Sequence, residues 1–92
     1  MPQFLGQNPD EVDSFASLLA ADAADLERVL AEISARLRDT TWVGSDRTKF
    51  ESRWLGAHAP QLEQLAQSLR DASSIAASNA AGQRSETDEL YR

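Results

Sequence analysis

The 92-residue sequence predicts an all-α fold, an antiparallel two-helix hairpin that dimerises into a four-helix bundle. Apolar residues recur every three or four positions on both sides of a central break, which is the periodicity of amphipathic helices. The break at 41–45 is short and contains a glycine, so the two helices must be antiparallel neighbours. Each helix carries an apolar arc wider than a single neighbour can cover. These three observations together favour hairpins that pair.

Composition limits the classes of function. The formal net charge of -6, with basic residues scattered among carboxylates, argues against binding of nucleic acid. No apolar run approaches the roughly 20 residues of a membrane span, so we expect no membrane insertion. The first residues lack the charged and apolar regions of a secretory signal peptide. The sequence therefore predicts a protein made in the cytoplasm without a Sec signal peptide.

The first helix is expected at about 9–40. Asn8 is a good N-cap residue, Pro9 suits the first helical position, and Asp10 and Glu11 place negative charge at the positive end of the helix dipole. The apolar positions expected in a hairpin or dimer core are Phe15, Leu19, Leu26 and Ile33. Asp22 falls inside this arc. It either lies near an edge and reaches water or acts as a polar registry residue at a subunit interface.

The turn is expected at 41–45. Thr40 and Thr41 are β-branched and should end the first helix. Gly44 can take the positive φ that a tight reversal needs, and Ser45 or Asp46 offers an N-cap for the second helix.

The second helix is expected at about 46–82, with a kink near 56–60. Pro60 lacks an N–H and crowds the carbonyl of Gly56 four residues earlier. The core positions expected here are Phe50, Trp54, Leu62, Leu65 and Leu69. Gly82 is expected to end the helix and the hairpin domain, 1–82, leaving 83–92 as a flexible polar tail.

No constellation of residues favours catalysis. His58 is the only histidine, cysteine is absent, and no serine lies in a recognisable nucleophile motif. His58 is assigned a structural or interface role. We expect no enzymatic activity, no cofactor and no metal site.

Trp42-Val43-Gly44, lying between two long helices in a chain of this length, resembles the WXG superfamily, the small early-secreted-antigen-like substrates of type VII secretion. The resemblance covers about 8–82 and includes Phe50 and Trp54 after the tripeptide. It implies hairpins that pair with themselves or with a sister WXG protein into four-helix bundles. It also implies export of the folded protein, without a cleaved signal, by a machine driven by a secretion ATPase. Trp42 and Gly44 would then form the turn and secretion-recognition motif.

One family element is missing from the sequence. The export signal of the family commonly includes Tyr-x-x-x-Asp/Glu just beyond the second helix, whereas Tyr91 is followed here by Arg92 alone. Either a partner supplies the signal, or the chain uses another signal, or it serves a larger effector. The alternative function is therefore an intracellular adaptor or targeting chaperone that binds a helical segment of a larger effector or toxin.

Two roles for Trp42 follow from these interpretations. Its ring either plugs the open end of the bundle beside Phe50 or Trp54, or stays partly exposed as half of a recognition surface. The aromatic pair one and two turns later can close the core without Trp42, which favours recognition.

Overall fold

The structure, a computed structural model, describes the backbone of residues 8–90 and the side chains of residues 8–86. In this part of the chain the fold is all helical, a hairpin as the sequence predicts. Helix α1 is Pro9–Asp39, helix α2 is Ser45–Arg53, a π-helical turn is Trp54–His58, and helix α3 is Ala59–Leu90. The last three follow one another without a break and run back along α1. The molecule is a rod of 70 × 18 × 13 Å.

The start of α1 is fixed by local hydrogen bonds. The Asn8 side-chain oxygen accepts from the backbone N–H of Asp10 at 3.0 Å and from that of Glu11 at 3.3 Å. This satisfies two of the backbone donors that a helix leaves free at its first turn. Pro9, which has no N–H to satisfy, occupies the first helical position.

Small side chains form the seam between α1 and α3. The buried residues recur at intervals of seven, or of fourteen where the half-buried Ser73 intervenes, and are Ala16, Ala23 and Leu30 on α1 and Ala59, Ala66 and Ala80 on α3. Alanine lets two helix backbones approach closely, and close approach also allows the Ser73 hydroxyl to donate to the Ala16 carbonyl at 2.7 Å. The hairpin is therefore closed mainly by methyl groups.

Near the turn, the seam widens around Trp54. This side chain is buried against Leu30 and Ala59, and its indole Nε1 donates to the Ser34 hydroxyl at 3.2 Å. The hydrogen bond satisfies the one polar atom of the indole in a buried position. Trp54 thus anchors the returning helix to α1.

The expected irregularity near 56–60 is a π-helical turn at Trp54–His58. The N–H of Ala59 donates to the carbonyl of Trp54, five residues earlier, in place of the usual four. The wider turn lies directly before Pro60, which cannot donate a backbone hydrogen bond. Because the turn holds an additional residue, Ala59 takes the buried position after Trp54 and His58 is exposed.

The expected end of the helix at Gly82 is wrong, because α3 continues to Leu90. A glycine inside a helix costs only about 1 kcal/mol and does not by itself stop it. The extension is also held to α1, since the Arg84 guanidinium donates to Asp13 at 2.6 Å and to Asp10 at 2.7 Å. Tyr91 and Arg92, like residues 1–7, lie outside the described residues.

Candidate functional site

Gly44 makes the reversal at the closed end of the hairpin. Its φ of 112° and ψ of -177° lie in a region that only glycine adopts readily, as the sequence predicts for this position. Gly44 is also the N-cap of α2, with no side-chain cap, so the expected capping by Ser45 or Asp46 is wrong. The carbonyl of Gly44 accepts the first hydrogen bonds of α2, from the Thr48 backbone N–H at 3.2 Å and the Thr48 hydroxyl at 3.3 Å.

The Arg47 side chain forms hydrogen bonds with the backbone of the turn. Its Nη1 donates to the carbonyl of Thr40 at 3.0 Å and to that of Trp42 at 3.1 Å, while its Nε donates to Glu51 at 3.2 Å. This residue was not among those predicted from the sequence. One signal was present, because a cation in the first turn of a helix opposes the helix dipole and is unexpected without another role.

Trp42 lies on the ring of Phe50, which ties the turn to α2. The two ring centroids are 5.8 Å apart and the ring planes are tilted by 47°, a geometry favoured by the aromatic quadrupole. The residues remain 37% and 42% exposed, and Val43 between the helices is 88% exposed. Trp42 therefore contacts Phe50, as expected if its ring plugs the end of the bundle. It also keeps an accessible surface, as expected if it takes part in recognition.

These aromatic residues form one wall of a groove of about 490 Å³. The lining residues are Glu32, Ile33, Arg36, Leu37, Thr40, Trp42 and Phe50. Aliphatic and aromatic carbon dominates the lining, and Glu32 and Arg36 are exposed at its margin. Such a groove suits an apolar side chain of a partner flanked by polar or charged groups. It contains no histidine, serine or cysteine that could act as a nucleophile or general base.

The hairpin has a polar edge on one side of its seam. The Arg70 guanidinium donates two hydrogen bonds to the Glu27 carboxylate, one of them at 3.1 Å, and lowers the pKa of Glu27 below its ordinary value. Further along, the hydrogen bonds from Arg84 to Asp10 and Asp13 raise the pKa of Arg84. Ion pairs thus link α1 and α3 along this edge.

The other side of the seam is apolar and uncovered, and we call it the open face. Among the expected core positions, Trp54 is buried, and Leu19, Leu26, Ile33, Leu62 and Leu69 are half-buried. Phe15, Phe50 and Leu65 are exposed. Leu18, Val29 and Ile75 extend the exposed apolar surface, with Phe15 at 56% and Ile75 at 63%. The large apolar residues that the sequence assigned to a hairpin or dimer core are therefore mostly outside the hairpin seam.

No family model, curated protein or solved structure matches the chain. Within residues 8–86, no group of three or more histidine, aspartate and glutamate side chains could hold a metal ion. None of the described helices is long and apolar enough to cross a membrane. The family assignment therefore stays a prediction that rests on Trp42, Gly44 and their position between the helices.

Proposed function

We propose that the protein works by pairing, its open face covering that of a second helical hairpin to form a four-helix bundle. The observation that carries this proposal is the distribution of apolar residues, with alanine in the seam and Phe15, Leu65 and Ile75 outside it. Contiguous exposed apolar surface is uncommon on soluble monomers and typically marks an interface. A second hairpin supplies the helical partners that such a face requires.

We further propose that the paired protein is a substrate or targeting partner of a type VII secretion system. The support is the resemblance of the turn to the WXG superfamily and the geometry of that turn, in which Gly44 has positive φ and Trp42 keeps exposed surface. In this proposal the groove beside Trp42 is the surface that a partner segment or the secretion machinery recognises. The protein has no enzymatic role.

Native mass tests the pairing. Sedimentation equilibrium of the purified chain, from about 1 to 100 μM, should give an average mass that rises with concentration toward twice the 10.1 kDa chain mass. A cooperatively folded monomer over the whole range would refute pairing with a second copy. Co-purification of the tagged chain from its source cell then identifies a sister protein where one exists.

The role of the groove is tested by Trp42→Ala with Leu55→Ala as the matched control. Leu55 is the more exposed of the two and lies outside the groove, beside Arg38 and Arg47. We expect the tryptophan variant to keep the helical content and dimer mass while export to the medium falls at least tenfold. The control should be exported like the parent. Loss of the dimer in Trp42→Ala would assign the residue a structural role instead.

A second candidate is an intracellular adaptor that binds a helical segment of a larger effector or toxin. The groove favours it, because an apolar floor with Glu32 and Arg36 at the margin is a common form for capture of a partner helix. Deletion of the secretion ATPase separates the two functions. A secreted substrate disappears from the medium in the deletion strain, whereas an adaptor is absent from the medium in both strains and co-purifies with a larger protein.

A further inference from the structure

One row of α1 residues on the open face alternates apolar and charged groups. Phe15, Asp22, Val29 and Arg36 are spaced by seven residues, so they lie on one line along the helix. All four are exposed in the hairpin. Asp22 and Arg36 are equally distant from Val29 along the chain. When two copies of this row lie antiparallel with their Val29 residues side by side, Asp22 of each copy therefore faces Arg36 of the other.

Neither charge in this row has an ionic partner within the described residues. The other two arginines of α1 do, since Arg28 pairs with Asp25 at 3.2 Å and Arg38 pairs with Asp39 at 3.4 Å. The charges on the polar edge are paired across the seam as well. Asp22 and Arg36 are thus complementary charges of opposite sign that the hairpin leaves unused.

We propose that the open face is covered by a second copy of this chain, with the two-fold axis passing beside Val29. The two α1 helices run antiparallel, and Asp22 of each copy forms an ion pair with Arg36 of the other. Symmetry gives two such pairs, one on each side of the contact between the two Val29 side chains. This inference rests on the proposed pairing and adds to it the identity of the partner and the register of the interface.

The opposite arrangement, with the two turns at the same end, leaves Asp22 without a basic partner. There α1 lies beside α3 of the second copy. Hydrogen bonds from Ser73 to Ala16 and from Arg70 to Glu27 place Asp22 at the level of residues 70–73. On the open face of α3 that level holds Ala72, which follows Leu65 by seven residues, while Arg70 is already bound to Glu27.

The antiparallel register also covers exposed apolar groups at both ends of the row. Phe15 lies 14 residues before Val29, whereas α1 continues for only 10 residues after Val29, so Phe15 comes past the end of the second copy's α1, at its turn. Val43 is the most exposed large apolar residue of the described chain. One register therefore gives the two charges partners and brings the exposed Phe15 to the turn that carries the exposed Val43.

Charge reversal tests the register. Asp22→Arg brings an arginine of one copy against Arg36 of the other, and Arg36→Asp brings two aspartates together. Each single variant replaces two attractive pairs with two repulsive ones, so we expect the dimer Kd to rise about tenfold to a hundredfold. An equimolar mixture of the two variants should form a heterodimer with near-parental Kd, and the double swap Asp22→Arg/Arg36→Asp should restore the homodimer.

The control is Glu63→Arg, which changes the net charge as Asp22→Arg does but leaves the Asp22 and Arg36 row intact. It should dimerise like the parent, and circular dichroism checks that every variant remains helical. If the single reversals dimerise like the parent, the register is overturned while pairing stands. If the parent is a monomer throughout, pairing itself is overturned.

Discussion

Ala23 has no exposed surface and lies at the middle of the alanine seam, so the substitution Ala23→Leu tests how closely α1 and α3 approach. Leucine adds three carbon atoms where the opposite helix leaves no space. Overpacking of this kind costs about 1–3 kcal/mol of unfolding free energy. For a domain of this size each kcal/mol lowers Tm by about 4–8 °C. We therefore expect a loss of at least about 4 °C.

Ala24→Leu is the matched control, because Ala24 is exposed and the same three carbon atoms enter solvent. Its unfolding free energy should stay within about 0.5 kcal/mol of the parent value. Both variants are compared by far-ultraviolet circular dichroism during thermal and urea unfolding. Protomer concentration is held equal, since pairing makes Tm depend on concentration. Equal Tm values for the two variants would refute the close alanine seam.

Four further substitutions have defined outcomes. Gly44→Ala forces a non-glycine residue to φ 112° and should lower the free energy of unfolding by about 1–3 kcal/mol. Gly82→Ala is the contrasting variant, because Gly82 is helical and has open space around its α-carbon. It should raise the free energy of unfolding by about 0.5–1 kcal/mol in the same urea titration. Arg47→Met removes the hydrogen bonds to the carbonyls of Thr40 and Trp42 and should loosen the start of α2. The Thr48 amide, which donates to the Gly44 carbonyl, should then exchange faster while the amides of mid-α1 keep their protection. An unchanged exchange rate at Thr48 would contradict the role of Arg47. The lowered pKa of Glu27 means that its ion pair with Arg70 stabilises the fold at pH values above the ordinary glutamate pKa of about 4.3. This stabilisation is lost as the pH falls through the lower pKa of the folded state. In Glu27→Gln the free energy of unfolding should therefore fall less steeply on the acid side of its pH profile.

The elements that could be predicted depend on local chemistry. The start of α1 follows from Asn8 and Pro9, because an N-cap and a proline at the first position act within one turn. The reversal follows from Gly44, since a short connection between antiparallel helices needs positive φ and only one glycine is close enough to supply it. The irregular turn before Pro60 follows from the missing N–H of that proline. The exact position of the turn, at Trp54–His58, depends on packing of Trp54 against α1.

The continuation of α3 beyond Gly82 could not be predicted, because its cause is far away in the sequence. Residues 83–90 have no apolar periodicity, and the sequence alone gives them no reason to remain helical. Arg84 binds Asp10 and Asp13, more than 70 residues earlier, only once the hairpin has formed. The place of Arg47 in the first turn of α2 was a signal that it has a role, but the role itself could not be predicted, because its acceptors are backbone carbonyls that meet it only in the folded turn.

The placement of the apolar residues was predicted only in part. Periodicity identifies the residues on the apolar side of each helix, but it does not say which of them face α3 and which face a further partner. The structure assigns the inner positions to alanines such as Ala16 and Ala66. Large residues such as Phe15 and Leu65 consequently lie on the open face, where a small rotation of each helix decides their exposure.

The placement of alanines in the seam and of large apolar residues on the open face has an energetic consequence for the proposed pairing. A buried alanine removes about one methyl group from water, whereas a buried leucine or phenylalanine contributes about 1.5–3 kcal/mol. A rod only 13–18 Å across has no interior other than its seam, so most of the hydrophobic free energy available to this chain lies on the open face. Folding and pairing should therefore be coupled. Dilution of the purified protein should lower Tm together with the dimer fraction, and a dissociation that leaves Tm unchanged would show that the alanine seam suffices by itself.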